Sequence, residues 1–371
     1  MTRQTILLNG SYAPSLINFR GPLIRAMIAA GHRVHVSAPD IPADIAATLA
    51  GWGATAHRVP LARAGLNPLR DLAYLAFLRR LVRATGATLV LGYTIKPAIW
   101  GSLAARSHGV RSAAMVTGLG YAFIPGAGLR RRAINRVSRW LWWRATATNS
   151  VVIFQNPDDR ADFLAAGALA DPAKARIVDG SGVDLAHFAP VALPAEPVFL
   201  MISRLLVNKG VREYAEAALR LRAAGRNWRF LLAGFHDEGP DAIARAELDR
   251  WIAGGVEYLG ELADVRPAIA RASVYVLPSY REGTPRTVLE AMAMRRPVIT
   301  TDAPGCRETT VDGLTGLLVP VRSADAVAQA MIRLGEDPPA RDRMAEAGLA
   351  RARERYAVDR VNRATMDHLG L

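Results

Sequence analysis

Glu282 and Glu290 stand eight positions apart, with seven residues between them, in Pro278-Ser-Tyr-Arg-Glu-Gly-Thr-Pro-Arg-Thr-Val-Leu-Glu-Ala-Met-Ala-Met294. Carboxylates accept hydrogen bonds from sugar hydroxyls but cannot bind phosphate. The amides of Gly283, Thr284 and the residues just after Pro285 have the opposite character. At the start of a helix such groups form a partly positive cradle for phosphate. A loop holding both kinds of group suits a ligand with phosphate at one end and hydroxyls at the other. The spacing alone fits equally an ordinary strand–loop–helix unit with two solvated glutamates.

A basic pair lies upstream in Ser203-Arg-Leu-Leu-Val-Asn-Lys-Gly210. Arg204 and Lys209, five positions apart on one loop, can meet a diphosphate from one side while the Glu282 loop approaches from the other. Two cations offset two negative charges and stabilise a diphosphate as it leaves. Two exposed basic residues beside a helix start would look the same.

The elements that must position these groups follow from hydrophobic patterning. Ser273-Val-Tyr-Val-Leu277 reads as a buried strand before the Glu282 loop. Pro285 sits where a first helical turn tolerates proline, and Val288, Leu289, Ala291, Met292 and Ala293 give that helix a packing face. Strand-like runs at Thr5–Asn9, 33–37, 87–91, 112–116 and 198–202 alternate with helical patterns near 67–84 and from Pro97. Such alternation argues for parallel sheets covered by helices, with ligands at the carboxyl ends of the strands. The pattern breaks at Asp179-Gly-Ser-Gly-Val-Asp184 and at the proline-rich 189–197, which reads as a hinge. The expected division is an N-terminal acceptor domain over 1–185, a donor domain over 186–355, and a last helix, 356–371, returning to the first domain. The 371 residues leave room for two such cores.

Glu-Gly-Thr-Pro before a helix carrying Glu290, then the strand Arg296-Pro-Val-Ile-Thr300, Gly305-Cys-Arg-Glu308 and Asp312-Gly-Leu-Thr-Gly316, resembles the donor half of family 4 retaining glycosyltransferases. The Ser203–Gly210 segment resembles their Ser-Arg-(x)4-Lys-Gly loop. The resemblance implies the GT-B fold, an α/β architecture of two doubly wound Rossmann-like domains facing a central cleft. It implies catalytic roles for Glu282, Lys209 and Arg204, with Glu282 on the hydroxyls of the transferred sugar. Gly283, Thr284, Pro285, Leu289 and Glu290 would bind the rest of the donor, Glu290 taking the ribose hydroxyls. Gly234, Leu259 and Gly260 end two further strands, and the 259–261 loop would frame a nucleobase through main-chain groups. The chain holds no Asp-x-Asp triplet, the motif with which metal-dependent transferases hold a divalent cation. No metal or other cofactor is expected, and a UDP-sugar serves as co-substrate.

Three loops carry the expected acceptor site. Gly10, Ser11 and Asn18 lie on the first, where Gly10 lets backbone approach a ligand. Lys96, in Tyr93-Thr-Ile-Lys96, can meet an acceptor phosphate. Thr117 and Gly118 open the third, Thr117-Gly-Leu-Gly-Tyr-Ala-Phe-Ile-Pro125. Gly118-x-Gly120 is not a dinucleotide fingerprint, because Phe123 replaces the third glycine and no acidic residue follows at the needed distance. Together with Phe154-Gln-Asn-Pro157 these loops resemble bacterial enzymes that extend undecaprenyl-diphosphate-linked sugars, whose best-known group adds an α-linked N-acetylgalactosamine. The implied function is retaining transfer of that sugar or a related hexosamine onto a polyprenyl-diphosphate-linked saccharide in cell-surface glycan assembly.

Charge supports an anionic partner for this half. Residues 1–190 hold 22 Lys/Arg against 9 Asp/Glu, while 191–371 hold 25 against 24. In Leu129–Arg144, six arginines interleave with three tryptophans at helical spacing. Arg130, Arg131 and Arg132 on phosphates, with Trp140 and Trp143 at headgroup depth, would dock on an anionic inner-membrane surface. Nucleic acid would use a similar composition, and so would a core helix with arginines turned to water; the reading adopted is membrane, with no nucleic acid. One cysteine, Cys306, allows no intrachain disulfide. No signal-like segment opens the sequence, so the expected location is cytoplasmic, peripheral at the inner membrane. Two other classes fit part of the pattern. A UDP-sugar epimerase of this architecture would need no basic, Trp-rich half, and a non-catalytic polyanion binder would leave the Glu282/Glu290 spacing unexplained.

Overall fold

The structure, a computed structural model, describes residues 2–62, 67–119, 129–236, 239 and 241–371; the side chains of 129–131 lie outside that description. In chain order the elements begin β1 (Thr5–Asn9), α1 (Pro14–Asn18), α2 (Gly21–Ala29), β2 (Arg33–Ala38), α3 (Ala43–Gly51) and β3 (Thr55–Arg58). They continue with α4 (Pro68–Thr85), β4 (Leu89–Tyr93), α5 (Ile95–Arg106), β5 (Arg111–Val116), α6 (Leu129–Thr146), β6 (Val151–Phe154), α7 (Pro157–Ala165) and β7 (Ala175–Ile177). The later part holds β8 (Val198–Ile202), α8 (Val211–Ala223), β9 (Arg229–Ala233), α9 (Arg245–Ala253), β10 (Val256–Tyr258), α10 (Arg266–Arg271), β11 (Val274–Leu277) and α11 (Arg286–Ala293). It closes with β12 (Val298–Thr301), β13 (Gly316–Val319), α12 (Ala324–Glu336), α13 (Pro338–Arg355) and α14 (Val358–Leu369).

The chain forms two compact units, Met1–Ser181 with Asp359–Leu371, and Gly182–Val358. In the first, a parallel sheet runs β3-β2-β1-β4-β5-β6-β7. Its central strands β1, β4 and β6 are buried on both faces, as covering by helices on each side requires. One face packs Leu7, Val90, Ala114 and Phe154 under α4, α5 and α6; the other packs Ile6, Leu8, Val34 and Leu91 with Leu23, Ile24 and the C-terminal Leu369 and Leu371. Local signals set the helix ends. Asn67 caps α4 by accepting from the amides of Leu69 and Arg70, Pro68 opens its first turn, and Gly86 ends it in the left-handed region.

The second unit is a parallel sheet of order β10-β9-β8-β11-β12-β13 over one continuous core. The crossing points lie at 181/182 and 358/359 because Val183 and Ala357 pair there: Val183 N–H donates to Tyr356 O, and Val358 N–H to Val183 O. The proline-rich stretch read as a hinge belongs wholly to this unit. Arg296, fully buried, donates to the carbonyls of Val191 and Ala192 as well as Ile269, Ala270, Met294 and Arg295. That cage fastens the stretch to the sheet.

In each sheet the strand order reverses between two neighbours, β1 and β4 in the first unit and β8 and β11 in the second. Connections leave in opposite directions there, so the loops at the carboxyl ends splay and open a crevice.

Candidate active site

In the second unit the loops after β8 and β11 meet at this reversal. A 3₁₀ turn, Val207–Lys209, ends at Gly210 in the left-handed region with φ 74°. A Cβ on Gly210 would lie 2.0 Å from Pro278 O, so only glycine lets the two loops touch. Lys209 Nζ donates to Glu282 Oε1 at 2.5 Å, and Ser279 Oγ donates to the same oxygen at 2.8 Å. Both members of the ion pair are mostly buried, at 19% and 15% side-chain exposure. Glu282 N–H donates to Pro304 O, which fixes the loop from its other side.

Tyr280 adds a second tie between the same loops. Its N–H donates to Asn208 O, and its hydroxyl donates to Glu213 Oε1 on α8 at 2.6 Å. The Arg322 guanidinium covers its ring at 4.9 Å. Burial, reinforced by Glu213, pushes the phenol up to about 12, so it stays a donor at neutral pH. Beneath the loop lies Cys306, whose thiol burial pushes up to about 12. It is inert packing.

Helix α11 begins one residue later than expected, with Pro285 as its N-cap. Pro285 O takes the amides of Val288 and Leu289. Glu290 is only 5% exposed and accepts from Arg286 Nε at 2.7 Å. Burial pushes its carboxyl up to about 7, with Arg286 pulling the other way. Leu289, expected among the donor-binding residues, is buried in the core with its amide already bonded, so it acts through packing. Gly234 and Gly260 are knitted together: Gly234 N–H donates to Gly260 O, and Tyr258 hydroxyl donates to Gly234 O. Leu259 N–H donates to Leu232 O. Arg204 stands exposed just past β8. Unit two therefore gathers Arg204, Lys209, Gly234, Gly260, Glu282 and the start of α11 at the carboxyl end of one sheet.

In the first unit the loops after β1 and β4 carry Gly10, Ser11 and Thr94. A Cβ on Gly10 would lie 2.3 Å from the Tyr93 hydroxyl. The close approach of Tyr93, which also bonds Ser15 Oγ at 2.8 Å, therefore requires glycine at this position. Asn18 is exposed at the end of α1. Lys96 is paired within its own unit: Asp71 accepts from its ammonium at 2.8 Å, and Ala62 O accepts from it as well. Thr117 and Gly118 are half-buried past β5, and residues 120–125 of the third loop lie outside the described residues.

Helix α6 divides its tryptophans. Trp142 is buried edge-on against Phe163, whereas Trp140 and Trp143 are 58% and 43% exposed. They continue one stripe with exposed Arg132, Arg136 and Arg139, at the helical period. The side chains of Arg130 and Arg131 lie outside the described residues. No described helix is long and apolar enough to cross a membrane.

Sequence reasoning passed over Ser279, Tyr280, Glu213 and Arg286. The last carried a legible signal, four residues before Glu290 on the same helix face. The Tyr280–Glu213 bond spans 67 positions and carried none.

The two units match two known domain families. Residues 20–180 match the family model described as Glycosyl transferase 4-like domain, and residues 196–337 match Glycosyl transferases group 1. The chain belongs to the family 4 glycosyltransferases. This glycosyltransferase is 28% identical over 347 residues, 90% of its length and 89% of the relative's, to N,N'-diacetylbacillosaminyl-diphospho-undecaprenol alpha-1,3-N-acetylgalactosaminyltransferase of Campylobacter jejuni. It is 25% identical over 294 residues, 75% of its length and 74% of the other's, to UDP-Gal:alpha-D-GlcNAc-diphosphoundecaprenol alpha-1,3-galactosyltransferase of Escherichia coli. Anabaena HepE, solved in complex with UDP-glucose, superposes with a TM-score of 0.81 at 19% identity, over 99% of this chain and 100% of that one. The fold of the glycosyltransferase is GT-B.

Proposed function

We propose that this glycosyltransferase moves N-acetylgalactosamine or a related hexosamine from its UDP form onto a polyprenyl-diphosphate-linked saccharide, with retention of configuration and without a metal ion. The observation that carries the reading is the Lys209–Glu282 contact at the strand reversal of the second unit. Bound donor inserts between ammonium and carboxylate: Lys209 turns to the diphosphate beside Arg204, and Glu282 is released to accept from hydroxyls of the sugar. Basic groups and the amides before α11 then carry the charge that develops on the leaving diphosphate, the task a cation performs elsewhere. Glu290 accepts from the ribose. A leaving-phosphate oxygen takes the acceptor's proton while the acceptor attacks the same face, which gives retention with no protein nucleophile.

The names of two relatives, both acting on diphospho-undecaprenol sugars, support the acceptor class. The crystallised complex of HepE with UDP-glucose supports the donor class. The exposed Arg/Trp stripe of α6 suits an anionic membrane surface, where such an acceptor resides. Labelled UDP- and GDP-sugars offered one at a time with an undecaprenyl-diphosphate-linked saccharide test the reading. Butanol-extractable label from one UDP-sugar is expected. A converted sugar nucleotide with an unlabelled lipid phase overturns it in favour of an epimerase.

A further inference from the structure

The reversal between β1 and β4 in the first unit is also bridged by side chains. Ser15 Oγ meets the Tyr93 hydroxyl at 2.8 Å, and Thr94 Oγ1 donates to Ser11 Oγ at 2.9 Å. Thr94 is an outlier. Its φ of 66° and ψ of 165° fall in a region that only glycine normally adopts. It is the N-cap of α5, a position where threonine ordinarily accepts from its own helix, yet it makes no such bond. The hydroxyl is turned instead to Ser11 on the neighbouring loop. A residue held in a disfavoured conformation, with its side chain diverted from the usual use, marks a place where the surroundings fix one geometry.

A serine hydroxyl has one proton and two lone pairs. Donation from Thr94 occupies one lone pair of Ser11 and leaves its proton and second lone pair. Both residues are partly exposed. A group that both donates and accepts fills that capacity, and a sugar hydroxyl does so. A phosphate oxygen, which only accepts, fills half of it.

Resting on the transferase reading, we propose that the Ser11–Thr94 hydroxyl pair binds and orients a hydroxyl of the acceptor's terminal sugar, with strained Thr94 setting the direction of the Ser11 proton. Thr94 is then a positioning residue and Ser11 the contact.

Thr94→Val keeps the shape and removes the hydroxyl, Thr94→Ser keeps the hydroxyl, and Thr94→Gly suits the backbone conformation and so guards against misfolding. The full chain is assayed with a UDP-sugar that the wild type transfers to undecaprenyl-diphosphate-linked N-acetylglucosamine; acceptor KM, donor KM and thermal midpoint are measured for each variant. Thr94→Val, Thr94→Gly and Ser11→Ala are expected to raise acceptor KM at least about tenfold with donor KM unchanged, and Thr94→Ser to restore the wild-type value. The inference falls if Thr94→Val or Thr94→Gly leaves acceptor KM unchanged, or if acceptor and donor KM rise together with a lowered midpoint. A wild type that binds no UDP and transfers no sugar would instead sink the transferase reading, and the inference with it.

Discussion

Replacing Glu290 by glutamine should make the second unit more stable and, at the same time, a poorer donor binder. Glu290 is almost fully buried, and burial raises its carboxyl from the usual 4.5 to about 7. Between those values the folded chain keeps a proton that the unfolded chain has released. Stability therefore declines as pH rises from about 4.5 to about 7, and the whole cost is present above that. At about 1.4 kcal/mol per pH unit the cost is about 3 kcal/mol at pH 8 and under about 1 kcal/mol at pH 5. Glutamine keeps an oxygen for Arg286 Nε, which Glu290 meets at 2.7 Å, and carries no charge. Urea unfolding of wild type and Glu290→Gln at both pH values should show an advantage for the variant that grows by about 2–3 kcal/mol between pH 5 and pH 8. Groups common to both proteins cancel in the difference. UDP affinity should weaken by roughly tenfold at pH 8, since a charged acceptor is lost. An advantage that does not change with pH, or a destabilised variant at pH 8, would show that Glu290 carries no buried-charge cost.

Lys209→Met should lower kcat by about 100–1000-fold, the usual loss when one donor to a developing anion is removed; calorimetry should find UDP affinity changed far less, and equal losses would deny Lys209 a transition-state role. Arg296→Leu should destabilise the second unit by about 3–5 kcal/mol in urea unfolding, because it strands the carbonyls the guanidinium now serves. His35 Nδ1 and His57 Nε2 lie 2.9 Å apart, and burial lowers the pKa of both rings, with the neighbouring ring adding to the effect on His35. The folded chain resists protonating them, so stability should fall as pH drops below about 6.5, and His35→Gln should flatten that limb of the thermal-midpoint profile. Replacing Trp140 and Trp143 together by serine should cut binding to phosphatidylglycerol vesicles at least about tenfold in a sedimentation assay, with the thermal midpoint unchanged, since both rings are exposed.

Much of the loop geometry in the second unit was legible in the sequence because its signals are local. Gly210, Lys209, Glu282 and the helix after Pro285 lie in short segments whose turn and helix signals are strong, and their approach follows from strand order. Other features depend on contacts between distant residues. Glu213 beneath Tyr280, Asp71 on Lys96 and the ring of Tyr93 against Gly10 are separated by 25 to 83 positions, and no period or motif encodes such pairs. That is why the partners of Lys96 and Gly10 could not be read from the sequence. The proline-rich 189–197 misled for a related reason. Its composition reads as a linker, but a buried arginine a hundred residues later holds its carbonyls.

One reaction and the stereochemistry of its product decide between retaining, metal-independent transfer and its alternatives. Purified chain would be given labelled UDP-N-acetylgalactosamine, an undecaprenyl-diphosphate-linked N-acetylhexosamine and a chelator, and the new linkage read by NMR after butanol extraction. Label in the lipid phase through an α-linkage is the predicted result. A β-linkage, or transfer that appears only when a divalent cation is restored, would contradict it.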